Sequence, residues 1–104
     1  MTAEEIKLKV RAEIGDGSRI EHPPAHWVDL KRCLECLVEP ELREFYDTSE
    51  KKLPWKLWVV FEEDPLTHKG YSIVYDESED TFGLAMKEML IGLYGTFLET
   101  LNGM

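Results

Sequence analysis

Between Trp55 and Phe61 the chain reads Trp-Lys-Leu-Trp-Val-Val-Phe, and from Tyr71 to Tyr75 it reads Tyr-Ser-Ile-Val-Tyr. Aromatic and β-branched side chains lose rotamer freedom in a helix and pack well on a pleated surface, so both runs predict strands. Glu63-Asp64-Pro65 and Asp76-Glu77-Ser78-Glu79-Asp80 bound them with turn chemistry, which joins them as an antiparallel hairpin. A third short strand from Thr81 to Ala85 completes a meander, because a two-stranded ribbon alone is marginal in water.

The flanking segments carry helical spacing. Ile6, Leu8, Val10, Ala12 and Ile14 alternate as a half-buried strand would, yet Ala3, Ile6, Val10 and Ile14 also form one helical stripe. Thr2 and Glu5 stand at capping-box spacing and Gly15 follows where a helix would stop, so a helix is the expectation. Pro23-Pro24 opens a second helix, with Trp27, Leu30, Leu34 and Leu37 on one face and Pro40 ending it. A short third helix is expected from Glu41 to Tyr46, presenting Leu42, Phe45 and Tyr46. A last amphipathic helix is expected on Met86, Met89, Leu90, Leu93, Tyr94, Phe97, Leu98 and Leu101, stopped by Asn102-Gly103. The fold class is therefore α+β: a small antiparallel sheet of about three strands in the second half, packed by N-terminal helices and the C-terminal amphipathic helix. Residues 1–104 read as a single domain, near the common size for one core.

Twelve basic residues against twenty-one acidic ones leave a formal charge of -9. That charge repels phosphate backbones and anionic lipid, so neither nucleic acid nor a membrane surface is an expected partner. It steers a basic protein toward the chain, although plain solubility is its ordinary use. The N-terminal residues lack the basic-then-apolar order of a signal peptide, and the two cysteines are too few for a disulfide framework, so a cytoplasmic setting is expected.

Cys33-Leu34-Glu35-Cys36 with His22 and His26 upstream collects four potential zinc ligands. The histidines flank the expected helix start while the cysteines lie about two turns further in. Small core and boundary fillers are therefore the favoured reading of Cys33 and Cys36, with no metal or other cofactor. His68 falls in a hairpin loop, and no nucleophile-base arrangement singles out a catalytic residue. The acidic run from Asp76 to Asp80 begins like a calcium loop, but Thr81 stands where that loop needs glycine and Lys87 where it needs glutamate.

The feature pointing to function is the sheet. Strict alternation puts Trp55, Leu57, Val59 and Phe61 on one face and Trp58 and Val60 on the other, where Val74 can join them. With helices covering one side, Trp58, Val60 and Val74 form an exposed partner-binding patch, unless the N-terminal segment covers it. The expected function is thus a non-enzymatic protein-interaction module, as an acidic inhibitor or immunity-type protein or as a homodimer using the sheet face. The alternative is a small-ligand or metal-binding domain, with a pocket between the terminal helix and the sheet near His22, His26, Cys33 and Cys36.

Overall fold

The computed structural model describes residues 2–16, 30–46, 54–67 and 69–102. Helix α1 spans Ala3–Ile14 and begins with the capping box: the Glu5 N–H donates to Thr2 Oγ1 and the Thr2 N–H donates to Glu5 Oε1, each at 3.2 Å. It ends at Gly15, where φ is 54° and the N–H closes onto the Arg11 carbonyl. Its stripe of Ile6, Val10 and Ile14 is buried, which selects helix over strand for this segment. Helix α2 (Leu30–Cys36) runs directly into strand β1 (Leu37–Tyr46). The N-terminal part of the second expected helix, with Trp27, lies outside the described residues.

Strands β2 (Pro54–Asp64), β3 (Lys69–Asp76) and β4 (Thr81–Met86) form the anticipated antiparallel meander. The sheet nevertheless has five strands instead of three, because two expected helices are strands. β1 takes the place of the short helix over Glu41–Tyr46. Six residues cannot sustain a helix without tertiary support, whereas β2 offers them a continuous antiparallel partner, from Glu41 opposite Val59 to Tyr46 opposite Pro54.

Strand β5 (Met89–Gly95) replaces most of the long C-terminal helix, leaving only α3 (Phe97–Asn102) helical. Its register explains the false helical period. Leu84 pairs with Gly92 and Ala85 with Leu90, so Ile91 is an extra residue; Phe82 pairs with Gly95 and Gly83 with Leu93, so Tyr94 is another. The first of these bulges places Leu90 and Leu93 on the same interior face at a spacing of three, which imitates one side of a helix.

The sheet closes into a barrel in the order β1-β2-β3-β4-β5. The closing contact is parallel and narrow: Tyr46 pairs with Met89, and the Tyr46 N–H donates to the Glu88 carbonyl at 2.7 Å. Every strand contributes to the barrel interior, through Phe45, Leu57, Val59, Val74, Ala85 and Leu90. A second cluster lies outside the barrel, where α1, α2 and α3 cover Val60, Phe61, Ile73, Tyr75, Phe82 and Leu84 of β2, β3 and β4. Asp80 fastens α1 to the β3–β4 turn, accepting from the Tyr75 hydroxyl at 2.6 Å and from Lys9 Nζ at 3.2 Å. Those two contacts hold its carboxyl below the usual range, the Tyr75 hydrogen bond most strongly. No helix among the described residues is long and apolar enough to cross a membrane.

Candidate functional site

The three side chains expected to form a bare patch do not do so. Val60 and Val74 are buried, in different clusters, and Trp58 is half-buried against the helix-covered one. A bulge is again the cause. Val59 pairs with Val74 and Phe61 with Ile73, so Val60 is inserted, and Phe61 moves to the face that α1 and α3 cover. Strict alternation through this strand is corrected accordingly.

His22, His26 and His68 lie outside the described residues. Cys33 and Cys36 are both buried and in no disulfide, and Cys36 Sγ donates to the Glu63 carbonyl at 3.5 Å. Burial, with a smaller contribution from Cys36, pushes the Cys33 thiol up to about 12, which leaves about one thiolate in ten thousand at pH 8. Among the described residues no three His, Cys, Asp or Glu side chains are grouped to hold a metal ion. Reaction with an aromatic disulfide reagent at pH 8 is expected to wait for unfolding. A thiol titrating within seconds in the native protein would contradict the burial.

What the fold does assemble is an apolar strip. No residue of β5 belongs to the buried helix-covered cluster. Tyr46, Met86, Met89, Ile91 and Tyr94 are exposed by 39–52%. Strand pairing joins three of them: Met86 pairs with Met89 across the β4–β5 turn, and Met89 pairs with Tyr46 across the closing seam. Ile91 and Tyr94 are the two bulge residues, so the irregularities of β5 supply two of its five members. Glu44, Glu88 and Glu99 stand near its ends, Glu99 beside Gly95.

Below the β4–β5 turn the barrel interior opens into a cavity of about 520 Å³, lined by Arg43, Glu44, Phe45, Glu62, Ser72, Lys87 and Glu88. Glu62 and Ser72 pair across β2 and β3 on the interior face, and Ser72 pairs in turn with interior Ala85. Glu62 is a carboxylate only 2% exposed. Arg43 Nη2 bridges it at 3.4 Å to Glu41 at 2.9 Å, which offsets part of the cost of burying the charge. Lys87 sits in the turn with φ at 55°, a conformation glycine or asparagine adopts more cheaply.

Comparison with known proteins finds no relative. No family model, curated protein or solved structure matches the chain. The features that bear on function are the strip and the charged cavity at the mouth of the barrel. Neither was legible in advance, since the register that brings Tyr46 beside Met89 links residues more than forty positions apart in the chain. Met86, Met89 and Tyr94 were expected on one face of a helix, which hid their exposure on β4 and β5.

Proposed function

We propose that the protein is a non-enzymatic interaction module that docks a basic partner protein on the strip formed by Tyr46, Met86, Met89, Ile91 and Tyr94. The observation carrying this reading is that these five large apolar side chains are exposed on β5 and the strand ends paired with it, and that none of them belongs to the helix-covered cluster. Aromatic and methionine side chains are enriched in interface cores, and truncating such anchors is what costs affinity. A net charge of -9, with Glu44, Glu88 and Glu99 near the strip, favours encounter with a basic surface and opposes a second copy of the same chain. An acidic inhibitor that masks a basic toxin or nuclease, working in the cytoplasm, is one concrete form.

Affinity capture from the native cell followed by calorimetry with the purified partner tests the assignment. Ile91→Glu buries a carboxylate in the contact and is expected to weaken binding about 100-fold while leaving the fold intact. Unchanged affinity in that variant, or a wild type that forms dimers by light scattering through the same strip, would overturn the reading. A second reading, a small-ligand domain, is favoured by the cavity at the barrel mouth, not by a pocket beside the terminal helix.

A further inference from the structure

Among the described residues, the mouth of the barrel carries hydrogen-bonding groups of both signs that have no side-chain partner. Arg43 spends only Nη2 on Glu41 and Glu62; its Nε and Nη1 groups have no partner among the described residues. The Lys87 ammonium, the Ser72 hydroxyl and the Glu44 and Glu88 carboxylates likewise make no ion pair or side-chain hydrogen bond with another described residue. All five groups line one cavity of about 520 Å³, within the size range of small-molecule sites.

The lining narrows the class of occupant. Phe45 is its only apolar residue and is itself 2% exposed; the stems of the charged side chains add apolar surface, but an apolar ligand would leave their charged ends without partners. A simple anion meets Glu44, Glu62 and Glu88 in the same wall, with Glu41 behind Arg43. A simple cation meets Arg43 and Lys87. A molecule bearing both charges satisfies donors and acceptors together, and charge-assisted bonds of that kind are the strong ones.

We propose that the mouth binds a small zwitterion of amino-acid or dipeptide size, with its carboxylate on Arg43, Ser72 and Lys87 and its ammonium on Glu44 and Glu88. Glu62 acts as a positioning residue: buried and bonded to Nη2, it fixes the guanidinium so that its free edge faces the cavity. Lys87 gains a reason for its unfavourable backbone conformation, because glycine would relax the turn and remove the cation. The site adjoins the docking strip and shares Glu44 and Glu88 with its rim; the zwitterion titration is made with no partner protein present and Ile91→Glu alters no cavity residue, so the two readings fail separately.

The test is a titration of the full chain with a panel of free amino acids and dipeptides, followed by backbone-amide NMR. Saturable shifts are expected at Ser72, Lys87 and Glu88, with the N-acetylated and C-terminally amidated forms of the best binder each about tenfold weaker. Lys87→Gly is expected to keep or raise the melting temperature while losing about tenfold in affinity, and Ser72→Ala to lose affinity without unfolding. Three outcomes would overturn the assignment: no shift at about 10 mM ligand, equal binding of a form lacking one charge, or wild-type affinity in Lys87→Gly.

Discussion

Replacing Gly83 by alanine is expected to destabilise the protein by about 3 kcal/mol or more, a large part of the stability of a domain this size. Gly83 is buried in β4 opposite the irregular part of β5. A Cβ built there would lie 2.4 Å from the Gly92 carbonyl oxygen, 2.7 Å from Leu93 Cδ2 and 3.1 Å from Leu93 Cα. Two of those atoms are backbone, so no side-chain rotation relieves the overlap and the strands must separate at the bulge. Gly92→Ala is the control: its nearest neighbours would be the Tyr94 hydroxyl at 3.5 Å and ring carbons from 3.6 Å, ordinary contact, and the change is expected to be neutral or slightly stabilising. Urea titration followed by circular dichroism distinguishes the two. A loss below about 1 kcal/mol for Gly83→Ala would show that β4 and β5 approach less closely than described.

Phe97→Ala is expected to cost about 4 kcal/mol, through lost burial and the cavity left behind. Helix α3 has six residues and no stability of its own, so it depends on what it packs against. Thr96 begins it by accepting from the Glu99 N–H at 3.1 Å, and the Leu98 N–H donates to Glu13 Oε1 of α1 at 3.4 Å. Phe97 is its anchor, fully buried and edge-on to Phe82 at 5.8 Å and to Phe61 at 6.3 Å. Removing the ring takes the shared partner from both strands and loosens the join between α1 and α3. Phe97→Leu keeps most of the volume and is expected to lose about 1.5 kcal/mol. Near-equal losses for the two variants would mean that ring geometry, not volume, anchors the helix.

Both positions illustrate why part of the architecture could be read along the chain and part could not. α1 was legible because its causes lie within a turn or two: Thr2 and Glu5 cap it, Ile6, Val10 and Ile14 recur at four, and Gly15 accepts the positive φ that ends it. The meander of β2, β3 and β4 was legible because two four-residue connections, one opening on Pro65 and the other the acidic run Glu77 to Asp80, force neighbouring β-rich runs to pair. Phe45 and Leu42 matched helical spacing equally well, and only a distant partner, β2, decided for strand. Around Ile91 and Tyr94 the local pattern was misleading, because a bulged strand shifts its inward residues by one and borrows the period of a helix.

From the chain alone came the mixed α+β class, the strongly negative charge, the first helix and the central meander, each governed by propensity or by contacts between near neighbours. Barrel closure through Tyr46 and Met89, the burial of Val60 and Val74, the apolar strip and the charged mouth were decided by folding in three dimensions. Each depends on strand register, and one inserted residue in a strand moves every following side chain to the opposite face.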